Sequence, residues 1–153
     1  MCIIKLMLRF AVFSIVLMAA ITTAQNEVRT TPCANPGKGK LRMLTATPCH
    51  SDPCEIKKGG VTTFDFVFVP DMTSTTFRVD AYVSIMGFTI RIPGIEPDLC
   101  KAAVRCPINK DEPVIGGFNM SVPKVPIRRT VVEVKITGDH GMMSCFTHSI
   151  LLA

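Results

Sequence analysis

Three kinds of side chain in this 153-residue chain could do chemistry: three histidines, seven cysteines and one glycosylation sequon. His50, His140 and His148 stand far apart, and neither an HExxH nor a GxSxG pattern surrounds any of them. Nothing in their spacing assembles a nucleophile with a base, so an enzyme is not expected. Cys49, His50 and Cys54 could be drawn as metal ligands, but their spacing is not a zinc pattern, and a small disulfide loop is the expected reading. No cofactor-binding motif is present. Asn119-Met120-Ser121 is an N-glycosylation sequon, which in an exported protein would place that stretch at the surface.

The front of the chain predicts export. Lys5 and Arg9 precede an apolar run from Phe10 to Ile21, and the small residues Thr22, Thr23 and Ala24 follow. This is the pattern of a secretory signal peptide over residues 1–24, with cleavage after Ala24. The run is short of the ~20 apolar residues that span a bilayer. The mature domain, residues 25–153, suits one core. Loss of Lys5 and Arg9 leaves fifteen basic against twelve acidic residues, a net charge of +3 instead of +5. Without a basic run or interleaved aromatics, nucleic acid is not an expected partner. A soluble, secreted monomer is expected.

Cys2 leaves with the leader, and Cys33, Cys49, Cys54, Cys100, Cys106 and Cys145 remain. An even set in an exported domain implies disulfides, with fifteen pairings open. The economical set is two local staples, Cys49–Cys54 and Cys100–Cys106, and one long bridge, Cys33–Cys145.

The elements that must position these residues read as strands. Period-two alternation or turn punctuation predicts strands at 39–47, 61–69, 77–85, 88–92, 130–137 and 142–152, with a further strand near 118–122 in a segment rich in Pro and Gly. About seven short strands suggest an all-β, immunoglobulin-like sandwich of two antiparallel sheets. The absence of Trp, and of a cysteine pair across the centre, sets it apart from antibody domains. The alternation gives two apolar walls: Phe64, Phe66, Phe68, Val79, Val83, Ile85, Phe88, Ile90, Ile92, Val132, Val134, Ile136 and Phe146. If the last strand alternates throughout, His148 shares its inward face with Phe146 and Ile150. Such a histidine could hydrogen-bond a hydroxyl or carboxylate brought between the sheets and change charge between pH 5 and 8. Periodicity alone does not distinguish a filled sandwich from a hollow one.

The cysteine order, with IPGIEPDLC, KAAVRCPINKD, SVPKVP and VEVKITGDHG, resembles the ML (MD-2-related lipid-recognition) domain family. The nearest branch is that of the Niemann-Pick type C2 and arthropod group 2 mite-allergen-like proteins, and the likeness runs from Cys33 to Leu152. It implies the same three disulfides, a two-sheet sandwich and a lipid held in a cavity between the sheets, with no chemistry. Ile92 stands where the sterol-binding branch has an aromatic at the mouth. Val122, Val125 and Pro126 match the opposite lip, with Val125 in place of a Tyr. Both departures remove ring surface that would stack on a flat ligand, and so imply a generic or acyl-chain lipid. Residues 119–126 and 92–94 are the expected movable parts of the lip. The resemblance implies secretion or a lysosomal lumen, and transient contact with a membrane or receptor. An alternative function is innate-immune recognition of microbial lipid with receptor docking. A third is a packed interaction domain.

Overall fold

The computed structural model describes residues 27–153, so the expected leader at residues 1–24 lies outside the described part. Among the described residues no helix is long and apolar enough to cross a membrane. The elements in order are β1 (Thr31–Gly37), β2 (Lys40–Thr47), β3 (Cys54–Ile56), β4 (Val61–Val69), β5 (Arg78–Ile85), β6 (Phe88–Arg91), α1 (Leu99–Ala102), β7 (Val114–Ser121), β8 (Arg129–Gly138) and β9 (Gly141–Leu152). One sheet runs β1-β9-β8-β5-β6, with β3 added on β9; the other runs β2-β4-β7. Every pairing is antiparallel except β3 with β9. The two inner faces meet in one apolar core, as expected of a sandwich in which every second residue of a strand points inward.

β4 shows how the sequence makes a wall. Phe64, Phe66 and Phe68 are buried on one face, while Thr63, Asp65 and Val67 look outward between them. On the facing sheet Val132, Val134 and Ile136 of β8 do the same. The registers Val132↔His148 and Val134↔Phe146 carry that face onto β9.

Among the described residues nine strands form where about seven are predicted. β1, with the sequence TPCANPG, has two prolines and no alternation. Its place beside β9 is fixed by partners remote in sequence, above all the Cys33–Cys145 bridge (Cα–Cα 5.4 Å). β3 is only three residues long and follows the Cys49–Cys54 loop (Cα–Cα 5.2 Å). The third bridge, Cys100–Cys106 (Cα–Cα 5.5 Å), ties α1 to the loop that follows it. That helical turn was not expected; Asp98 caps it, its Oδ1 accepting from the Cys100 amide at 3.2 Å.

β7 begins at Val114, earlier than the sequence suggests, because Gly116-Gly117 reads as a turn yet continues the ladder opposite Phe66 and Asp65. Glycine at 116 permits a close approach. A Cβ there would lie 2.8 Å from both Phe66 Cζ and Val104 Cγ2. Gly116→Val should therefore cost ~1–3 kcal/mol, the usual range for overpacking, read as a lowered denaturation midpoint. An unchanged midpoint would mean that the crowding relaxes freely.

The wall does not extend to β6. Phe88 (74% exposed) and Ile90 (48% exposed) alternate like core residues but face solvent. β6 is a four-residue edge strand paired only with β5, and every one of its residues is exposed. With Met86 (92% exposed) at the turn, they make the β5–β6 hairpin an apolar projection.

Candidate functional site

The space between the sheets is the candidate site. β2, β4 and β7 supply Leu41, Leu44, Phe64, Phe66, Phe118 and Met120 from one side. β5, β8 and β9 supply Val79, Ala81, Val132, Val134, Ile136, Phe146 and His148 from the other. These residues enclose a void of about 20 Å³. A second void of about 40 Å³ adjoins it, sharing Met120 and Val132. Its lining includes Val83, Ile85, Ile92, Val122, Val125, Ile127, Thr130, Ile150 and Leu152.

These volumes correct the expectation of a ready-made hollow. One water needs ~10–15 Å³ of such space, so neither void admits an alkyl tail until the walls part. The sheets carry large side chains that meet across the middle: Phe66 stacks on Phe77 at 5.9 Å between ring centroids.

The predicted lining residues divide accordingly. Phe64, Phe66, Val79, Val132, Val134, Phe146 and His148 surround the inner void; Val83, Ile85, Ile92, Val122 and Val125, with Val132 again, surround the outer one. Phe68 is fully buried but lines neither, because it packs on Phe77 (5.6 Å) at the end of the sandwich. Pro126 is exposed and stands outside both linings, as do Phe88 and Ile90. Sequence reading puts Phe118 and Met120 on the expected strand near 118–122 but does not name them as lining residues, which they are. It also missed Thr130 and Leu152, which continue the inward faces of β8 and β9, whereas Ile150 lies on the inward face where alternation puts it. Asn119 is exposed on β7, an edge strand, and its Oδ1 accepts from Thr63 Oγ1 at 2.8 Å.

The two ends of the sandwich differ. At one end the loop through α1 ties both sheets: the Leu99 amide donates to Phe77 O at 2.9 Å, and Val104 lies against Gly116 of β7. Ser74 and Ile108 exchange two backbone hydrogen bonds of 3.0 and 2.9 Å beside it. At the other end, residues 122–127 run as a loop that forms the lip; residues 119–121, expected to move with it, are instead held in the ladder of β7 with β4. Val122 exchanges backbone bonds with Gly59 and Gly60 at 2.8 and 2.9 Å, and Val125 bonds back to Pro123. Among the described residues no backbone bond joins this lip to Ile85 or Ile92 across the outer void. Ile92 is less free than expected, since its amide donates to Ala81 O at 2.8 Å.

His148 is the polar exception among the inner walls. It is 5% exposed, its ring lies 5.9 Å from that of Phe64, and neither Nδ1 nor Nε2 has a hydrogen-bond partner among the described residues. Burial lowers its pKa to about 4, because the charged imidazolium cannot be solvated there. The ring is thus neutral from pH 5 to 8, which corrects the expected charge change in that window. Among the described residues, the one cluster with metal-ligand proximity is Cys33, Glu133 and Cys145, and its two thiols are joined in a disulfide.

Residues 27–152 match the family model described as ML domain. A mite group 2 allergen of Glycyphagus domesticus is 33% identical over 110 residues, covering 71% of this chain and 87% of its own. The group 2 allergen Der f 2 of Dermatophagoides farinae is 30% identical over 132 residues, covering 84% and 86%. The NPC intracellular cholesterol transporter 2 of Mus musculus is 27% identical over 135 residues, covering 86% and 89%. Among solved structures, a Niemann-Pick type C2 protein from Japanese carpenter ant superposes with a TM-score of 0.70 at 16% identity, covering 82% of this chain and 99% of that one. Chicken MD-1 complexed with lipid IVa superposes at 0.51 and 12% identity, covering 84% and 91%.

Proposed function

Because the chain belongs to the ML domain family, we propose that it is a secreted, monomeric lipid carrier, which takes a sterol, fatty acid or related lipid between its sheets and releases it unchanged. The supporting observation is the pair of facing apolar walls with one end tied by α1 and the other closed only by the lip at residues 122–127. Each buried CH₂ gains ~0.8 kcal/mol, before the costs of ordering the ligand and parting the walls. A tail entering at the lip replaces wall-to-wall contacts with wall-to-ligand contacts, so the closed form is the resting position of a slot that swells. The lip moves first, because the fewest backbone bonds hold it. Among the described residues no group lining the slot is arranged for a covalent step.

Two relatives make the reading concrete. The mouse protein is named a cholesterol transporter, and chicken MD-1 was solved with lipid IVa. The aliphatic lip of Ile92 and Val125 suits a flexible tail better than a flat ring system, which gains most from stacking on aromatic surface. A lysosomal lumen is the alternative compartment, and Asn119 the proposed site for sugar.

Native mass spectrometry of the disulfide-bonded protein from a secreting host tests the reading. One lipid per chain is expected, and an apolar naphthylamine fluorophore should compete with it. Val125→Asp, which places a charge at the lip, should weaken fluorophore binding about tenfold or more, since a carboxylate beside an apolar entrance is costly to desolvate. Protein that carries no lipid and takes up neither fluorophore nor a panel of acyl lipids would sink the carrier reading. A bound bacterial glycolipid would instead favour the microbial-recognition function.

A further inference from the structure

Two buried polar side chains in the slot are left without partners, and both lie on the same wall. His148 of β9 borders the inner void, and Thr130 of β8 borders the outer one. Neither imidazole nitrogen, and not Thr130 Oγ1, has a hydrogen-bond partner among the described residues. The register places them together. Val132 pairs with His148 and Thr130 with Ile150, so Thr130 and His148 are diagonal neighbours across two adjacent strands. Such positions stand ~7–8 Å apart at the backbone, near enough for side chains to approach one another. Both flank Val132, which with Met120 is common to the two voids. An otherwise apolar interior therefore contains one polar spot, midway along the path a ligand must take.

Leaving such groups unpaired is unfavourable in a folded protein, and a partner brought by the ligand would remove the penalty. The character of that partner follows from the surroundings. No Lys or Arg lines either void, so nothing there neutralises an ionised head group. On the β1–β3 side His148 also borders a groove lined by Glu27, Arg29 and Asp52, where the one guanidinium, Arg29, is already paired with Asp52 at 3.0 Å. A neutral imidazole offers one donor and one acceptor, and a threonine hydroxyl offers both. An alcohol hydroxyl can donate to one and accept from the other. A carboxylate can only accept, and it would bring an uncompensated charge into a dry site.

We propose that this slot selects a neutral lipid bearing a hydroxyl group, and that the hydroxyl is carried inward to the His148–Thr130 pair while the hydrocarbon occupies the apolar walls. The inference rests on the carrier reading and adds to it the ligand's chemical class and its orientation. His148 is a specificity residue here, binding the head of the ligand instead of its tail.

The test uses the full mature protein and displacement of the naphthylamine fluorophore by three probes of equal chain length: hexadecanol, its methyl ether and palmitate at neutral pH. Wild type should prefer the alcohol to the ether by about tenfold, the scale of one buried hydrogen bond, and to palmitate by more. His148→Leu should erase the preference for alcohol over ether, and His148→Gln, which keeps a donor and an acceptor, should restore part of it. In wild type, the imidazole nitrogen resonances of His148 should move on adding hexadecanol and not the ether, a readout that needs no variant to fold. Equal affinity for alcohol and ether, with no movement of those resonances, overturns the inference and leaves the carrier reading intact. Failure of all three probes and the fluorophore to bind overturns both.

Discussion

Replacing Cys33 and Cys145 together by serine should remove ~4–5 kcal/mol of stability, the largest loss expected of any covalent change in this domain. The bridge spans 112 residues of sequence. Cross-linking so long a loop restricts the unfolded chain, and about 100 residues of closure are worth ~4.7 kcal/mol on the chain-entropy relation. The two local bridges close short loops and are worth only ~2 kcal/mol each by the same relation. Since a domain of this size has roughly 5–15 kcal/mol in total, the double variant should lie close to its unfolding threshold. β1 should suffer first, because its ladder with β9 is irregular between Pro32 and Gly37 and Cys33 sits within that gap. Guanidinium titration of both proteins gives the comparison. A loss below about 1 kcal/mol would mean that the unfolded chain is already compact and that the bridge restrains little.

The second large effect is a loss of stability in mild acid, carried by one residue. His148 has a native pKa of about 4, against an ordinary value of 6.5. Between those limits the unfolded chain binds a proton that the native protein does not, so stability falls as pH falls. The loss begins near pH 6.5, is complete near pH 4 and amounts to ~3 kcal/mol, at about 1.4 kcal/mol per unit of pKa difference. His148→Phe, which keeps a ring on the wall, should flatten the curve through this window, and subtracting the two curves isolates the histidine from the carboxylates. Asp139, held to about 2 chiefly by the Thr75 amide and the Thr76 hydroxyl, acts below the window: what it contributes is present above the ordinary carboxylate pKa and lost as pH falls toward 2. Parallel curves for wild type and variant would show that the imidazole is solvated or paired in solution. A hydroxyl ligand paired with the neutral ring should deepen the acid sensitivity, because protonation would then also break that contact.

The strands that alternate cleanly were readable because each residue's environment is set by its own pleat. β4, β5, β8 and β9 formed within a residue or two of the stretches the periodicity marks. What escaped depends on partners far along the chain. β1 lacks any strand signal and exists through β9 and a disulfide; the first half of β7, at 114–117, shows no alternation and is set by its ladder with β4, where Phe66 and Val104 fill the space over Gly116. Phe88 and Ile90 have the pattern of wall residues, but alternation says which face a residue takes and not whether anything covers that face. The slot was misjudged for a similar reason. Its width depends on how rings from opposite sheets interlock, as Phe66 and Phe77 do, and no local pattern records that. The inward position of His148 followed from alternation; its missing partners and its neutrality did not.

A sandwich tied at one end and loose at the other also measures what enters it. β5 runs the length of the slot from the tied end, beside Phe77, to the lip at Ile85, and its eight residues span ~26 Å. One leaflet of a bilayer offers tails of ~15 Å, so a single membrane tail can lie straight along the strands. Affinity should then climb with each added methylene until the ligand fills the slot between the lip and the Phe66–Phe77–Phe68 stack, and level off or fall beyond that length. The aromatic stack at the sealed end is in that sense a ruler's stop, and selection among homologous lipids becomes a matter of length.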